Sequence, residues 1–162
     1  MERIRSHTGD GARATRRRVL VSGLGAALGL PALAQAPARQ TIEPNAIVIG
    51  QSCQLTGPLA ALTEEVRFGA SLCFDKVNAQ GGIGGRPVRV LSLDDGYVPD
   101  RATQNTRRFI EDDKVLALFH YAGTPSSLAA VPLAEKNKVP FVAPFTGAQS
   151  LRNAQNRQVF NI

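Results

Sequence analysis

The chain has 162 residues, 43% hydrophobic and 20% charged, which suits one globular domain with a core of moderate size. Its net charge of +6 would suit a polyanion partner, but six arginines set against Glu2 and Asp10 place +4 of it in residues 1–18. The remainder is close to neutral, and nucleic-acid binding is excluded.

The first motif is Thr15-Arg-Arg-Arg-Val-Leu20, followed by a run without charge from Val19 to Leu33 and by small residues in Ala32-Leu-Ala34 and Ala34-Gln-Ala36. A basic region, a short apolar region and an A-x-A site make a secretory signal, and the arginine pair is similar to the twin-arginine export type. The apolar run of about 15 residues is short of the roughly 20 that span a bilayer. Pro37 disfavours cleavage after Ala36, so residues 1–34 are expected to be the signal. The glycines of VLVSGLGAALG (19–29) also fit a dinucleotide turn, but Leu30-Pro31 interrupts the helix that turn requires. Positions 39–42 hold Arg-Gln-Thr-Ile, no acid to take a ribose, and Glu43, the nearest, lies in a linker-like stretch with Pro44. Residues 35–45, rich in Pro, Gln and Ala, read as a flexible lead-in.

From Ala46 the pattern changes. Ala46–Ser52 (AIVIGQS) predicts a buried strand. Leu62, Val66, Gly69, Ala70, Cys73, Phe74 and Val77 recur at helical spacing and predict one buried stripe, ending near Asn78–Gly82. Val88–Leu93 predicts a second strand, Asp100–Ile110 a helix capped by Asp100, and Val115–Phe119 a third strand. Pro125–Asn137 predicts a helix that Pro132 should kink or shorten. Phe141–Ala143 is a fourth strand, and Val159–Ile162 begins a fifth. Strands alternating with helices predict an α/β fold, a Rossmann-like parallel sheet with helices on both faces.

In such a sheet the ligand crevice lies beyond the carboxyl ends of the strands. Three turns with Gly and Ser or Thr occupy that edge: Gln51–Pro58, Tyr121–Ser127 and Pro144–Ala148. In Gly123-Thr-Pro-Ser-Ser127, Thr124 as cap and Pro125 as first helical residue would leave the N–H groups of Ser126 and Ser127 free for a carboxylate or phosphate, unless the motif only starts a helix. Phe145-Thr-Gly-Ala148 adds a hydroxyl, a carbonyl and an N–H. Gly81–Gly85 follows a helix and precedes a strand, the wrong order for a phosphate loop. Asp94-Asp95 reads as turn capping with Gly96. Cys53 and Cys73 should lie too far apart for a disulfide, leaving two free thiols with Cys73 buried. His120 stands alone, so metal and triad chemistry lack support, and no cofactor is expected.

Together IVIGQSCQLTGPLA, FGASLCFDKVNAQGGIGGRPVRVLSLDDGYVPDRA and GTPSSLAAVPLAEKNKVPFVAPFTGAQSLR resemble the periplasmic substrate-binding proteins of branched-chain amino acid type ABC importers. The resemblance implies a type I periplasmic binding fold: two Rossmann-like lobes on a hinge, closing on an amino acid or related small acid or amide and delivering it to an inner-membrane ABC permease. Residues 46–162 would be the N-terminal lobe, ending at the hinge with the C-terminal lobe missing. The ligand carboxylate would meet Gly123, Thr124 and Ser126, and the next loop would offer Phe145 through its backbone, Thr146 and Gly147. Leu62 stands where relatives often carry an aromatic residue. The expectation is an exported, non-enzymatic solute-binding protein of the periplasm. A twin-arginine-exported enzyme with a flavodoxin-like cofactor domain, and a periplasmic sensor lobe, are the alternatives. One lobe offers roughly half of a clamp's contacts, so this chain should bind weakly or not at all.

Overall fold

A computed structural model of the chain describes residues 45–162; the expected signal and nearly all of the lead-in lie outside the described residues. In chain order the elements are β1 (Ile47–Cys53), α1 (Ala60–Ala79), β2 (Val88–Asp94), α2 (Pro99–Glu111), β3 (Ala117–Phe119), α3 (Thr124–Asn137), β4 (Phe141–Val142) and β5 (Val159–Phe160), with a single 3-10 turn at Gln149–Arg152 before β5. The strands form one sheet in the order β2-β1-β3-β4-β5, and every pairing is parallel. The predicted α/β class holds, and the fourth and fifth strands are shorter than expected.

Strand alternation sorts the helices. Gly50 faces the Phe109 ring of α2, and Ser52 accepts a hydrogen bond from Asn105 of α2 (3.1 Å). Their neighbour Gln51 points to the other face, where it lines a cavity with Phe74 and Asn78 of α1. Right-handed crossovers explain this: β1 to β2 runs one way along the sheet, whereas β2 to β3 and β3 to β4 run the other. The core lies on the α2–α3 side, where Phe109, Leu118, Tyr121, Ala130, Ala134, Phe141 and Leu151 are buried together. Each large side chain there contributes about 1.5–3 kcal/mol by leaving water. The Tyr121 and Phe141 rings meet edge-to-face at 4.9 Å, and the Tyr121 hydroxyl shares a 2.9 Å hydrogen bond with Thr106.

Helix α1 departs from the expected stripe. Thr63 is its buried residue, Val66, Ala70, Phe74 and Val77 are half-buried, and Leu62, Gly69 and Cys73 are exposed. Phe68 and Leu72, outside the stripe, are 61% and 57% exposed. Among the described residues α1 has its face of the sheet to itself, so no neighbouring helix closes over its flanks. Cys73, expected to be buried, is therefore exposed; Cys53, on β1, is buried, and both are free as expected.

Helix starts also differ. Pro99 opens α2 with Val98 as its cap residue, so Asp100 lies inside the first turn. Proline suits that place, because the first N–H groups of a helix lack an intrahelical acceptor. α3 runs through Pro132 to Asn137 without being shortened, and ends on Lys138 in the left-handed region.

Candidate ligand-binding site

At the carboxyl edge the chain takes unusual turns. His120 (φ 49°) follows β3, Ala143 (φ 53°) follows β4 and Tyr97 (φ 67°) follows β2, all left-handed without being glycine. Such conformations cost of order 1–3 kcal/mol each and persist where surrounding structure holds them. Here the hold is visible. His120 donates its N–H to Val142 O (2.9 Å), and Ala143 donates to Phe160 O (2.8 Å).

The loops after β3 and β4 then run side by side. Phe145 donates its N–H to Tyr121 O (2.9 Å), and Gly123 donates to Phe145 O (3.0 Å). This short parallel bridge sets Thr124 against Thr146, whose hydroxyls lie 2.6 Å apart. The Thr146 hydroxyl also accepts the N–H of Ala148 at 3.1 Å. Two hydroxyls from loops some twenty residues apart thus share one point of the edge, beside the N-terminus of α3.

Gly123 is the cap residue of α3, and Thr124 and Pro125 are its first two helical residues, one step earlier than the expected cap. Ser127 donates its N–H to Gly123 O (3.1 Å), so that N–H is already committed. The groups ahead of this first helical bond are the N–H groups of Thr124 and Ser126. The Ser126 side chain is buried and its Oγ has no partner. Gly147 is exposed and lines an open concavity together with Phe145, Thr146, Pro144 and Ile162. Of the six expected residues, then, Gly123, Thr124, Phe145 and Thr146 converge, Ser126 is buried beside them, and Gly147 shares a second concavity with Phe145 and Thr146.

Beside this convergence is a cavity of about 100 Å³, lined by Gly123 and Phe145 with Leu59, Leu62, Thr63 and Val66 from the β1–α1 region, and by Gln51, Gln54, His120 and Ala122. The sequence places the Gln51–Pro58 turn at this edge but singles out neither Gln51 nor Gln54, omits Thr63 and gives His120 no role. The signal was in the register: Gln51 and Gln54 flank the end of β1, and β1 is the neighbour of β3. The His120 and Phe145 rings stack at 5.4 Å with 21° between planes. Burial holds the His120 imidazole below its ordinary pKa, against the opposing effect of a ring N–H donated to Ala143 O.

The β1–α1 loop that walls the cavity is latched by Asp94. Its Oδ1 accepts the N–H groups of Leu55 (2.8 Å), Thr56 (3.2 Å) and Gly96 (3.2 Å), and its Oδ2 accepts the Thr56 hydroxyl (2.8 Å). Parallel pairing of Cys53 with Asp94 brings this carboxylate to the loop. Burial opposes its ionisation, but the four hydrogen bonds win and lower its pKa. Asp95 is buried, accepts the Ser52 hydroxyl (2.8 Å) and caps its own turn at the Tyr97 N–H (2.8 Å). Both acids serve turns, as their spacing suggested. Among the described residues no cluster of His, Cys, Asp or Glu is arranged to hold a metal ion.

The profile of the periplasmic binding protein family matches residues 46–162. Over 108 residues the chain is 31% identical to the Leu/Ile/Val-binding protein BraC3 of Rhizobium johnstonii, covering 65% of this chain and 28% of that protein. Among solved structures it is similar to the branched-chain amino acid transporter substrate binding protein LivJ of Streptococcus pneumoniae in complex with isoleucine (TM-score 0.65, 29% identity, 72% of this chain and 33% of that one). It is equally similar to an ABC transporter solute binding protein of R. palustris in complex with benzoate (TM-score 0.63, 29% identity, 72% and 32%). The chain spans about a third or less of the length of each.

Proposed function

Because the chain belongs to the periplasmic binding protein family, we propose that residues 46–162 are the N-terminal lobe of an exported solute-binding protein that serves an ABC importer and does no catalysis. The observation that carries this is the Thr124–Thr146 hydroxyl pair at 2.6 Å, set at the helix start and next in sequence to Gly123 and Phe145, which line a largely apolar cavity. Hydroxyls and unbonded N–H groups at a helix N-terminus are suited to a carboxylate, and the apolar wall to the body that carries it. Gly123, Thr124, Phe145 and Thr146 form the ligand edge, with the Ser126 N–H behind them. The bound isoleucine and benzoate of the two solved relatives share a carboxylate and little else, which supports a carboxylate subsite with a variable body. Delivery to a permease, a second lobe and periplasmic location through residues 1–34 belong to the same proposal.

Titrating the ¹⁵N-labelled protein with small carboxylates tests it. The Thr124, Ser126 and Thr146 amides are expected to shift together, and Thr124→Val is expected to weaken the response by about tenfold, the worth of one hydrogen bond to a charged group. Shifts spread elsewhere, or none up to tens of millimolar, would overturn the reading.

A further inference from the structure

Two residues lining the cavity beside Phe145 each carry a buried polar atom without a hydrogen-bond partner. Gln54 is 2% exposed and donates its amide N–H to Ala122 O (3.2 Å), which leaves Oε1 buried without a partner. His120 donates one ring N–H to Ala143 O, and its Nε2 is likewise buried without a partner. With the imidazole neutral, Nε2 is an acceptor, as is the Gln54 oxygen. Unpaired buried acceptors cost about 1–3 kcal/mol each. Gln51, by contrast, is satisfied: its amide donates to His120 O and its oxygen accepts from Ser92.

Three kinds of group could enter. An aliphatic chain suits Leu59, Leu62, Val66 and Ala122 but leaves both acceptors unmatched. An ammonium supplies donors, but no Asp or Glu lines the cavity, and a cation without a counter-charge is costly to desolvate. A neutral O–H or amide N–H₂ on an apolar body matches walls and acceptors together. About 100 Å³ is room for such an end, since an apolar cavity of about 150 Å³ takes a whole benzene.

Resting on the ligand reading above, we propose that this cavity is a specificity pocket for the neutral, donor-bearing end of a small carboxylate, with Gln54 Oε1 and His120 Nε2 as its acceptors. Both atoms are closed off as the cavity stands, so binding requires the Gln54 and His120 side chains to turn toward the ligand's donor. The pocket then selects by leaving the wrong ligand's partners unpaired, the mode in which a missing hydroxyl is punished most.

The test uses benzoate, 4-hydroxybenzoate and L-leucine on the purified protein, read by amide shifts and by the ¹⁵N signal of His120 Nε2. 4-Hydroxybenzoate is expected to bind about tenfold or more tightly than benzoate, and to move the Nε2 signal as benzoate and leucine do not. Gln54→Leu, checked for an unchanged thermal transition, should bring the ratio close to one; should that variant fail to fold, the Nε2 signal alone decides. Equal binding of the two benzoates with an unmoved Nε2 signal overturns the pocket while Thr124 and Ser126 shifts leave the carboxylate reading standing. Loss of all shifts removes both.

Discussion

Gly123 holds φ at 92°, and a Cβ placed on it would meet the Tyr97 ring at 2.3 Å. Gly123→Ala is therefore expected to lose about 1–3 kcal/mol in a urea transition and to abolish carboxylate shifts, since it pushes the loop carrying Thr124 off Tyr97. At Asp94 the expectation concerns pH. A carboxylate whose folded pKa is lowered adds stability that is complete above its unfolded pKa of about 3.9 and is lost as pH falls through the lower folded value. His120 works in the same direction over another window. With its folded pKa below the unfolded value of about 6.5, the unfolded chain takes the proton first as pH drops below that value, and stability declines. Thermal melts of Asp94→Asn and His120→Phe should flatten these two windows separately. The cysteines diverge too: burial, eased by Arg67 and reinforced by Asp95 and Asp94, pushes the Cys53 thiol up to about 12. A thiol reagent at neutral pH should find Cys73 at once and Cys53 only after denaturant.

Elements obey a tighter rule of fit. A Cβ at Gly50 would stand 2.6 Å from the Phe109 ring, so β1 and α2 meet backbone to ring. Gly50→Ala is expected to cost about 1–3 kcal/mol, and Phe109→Leu in the same chain to recover part of it, a coupling that a double-mutant cycle would read. The sequence showed where each element lies, because hydrophobic period and the punctuation of Pro and Gly are local signals. It also showed all three crevice loops that line the cavity: Gln51–Pro58 through Gln51 and Gln54, Tyr121–Ser127 through Gly123, and Pro144–Ala148 through Phe145. What it hid depends on neighbours in space. The exposure of Leu62 and Cys73 follows from α1 having no companion helix among the described residues, which no spacing within α1 encodes. The roles of Gln54 and His120 follow from β1 lying next to β3, a matter of strand order.

For the molecule as a whole, the mature mass is the measurement that bears on the proposed clamp. Cleavage after Ala34 would leave roughly 14 kDa for Gln35–Ile162, at about 110 Da per residue. A species of that mass in the periplasm would favour a stand-alone or sensory lobe, whereas one two to three times heavier would fit a two-lobed importer component. The chain of 162 residues by itself should bind carboxylates more weakly than millimolar, which calorimetry would check. Strand order has a last consequence, in time. The first strand made, β1, is an inner strand whose Ile49 pairs with Val90 on one side and Ala117 on the other. Its second flank stays open until β3 has been synthesised, and parallel pairings of such separation are slow to close. The cavity takes residues from both sides of that seam, so Gln51 meets His120 and Gln54 meets Ala122 only when β3 docks. Pulse-labelled hydrogen exchange during refolding should show the Gly123 and Phe145 amides, which bond across the loops after β3 and β4, gaining protection together with β3, in the final phase.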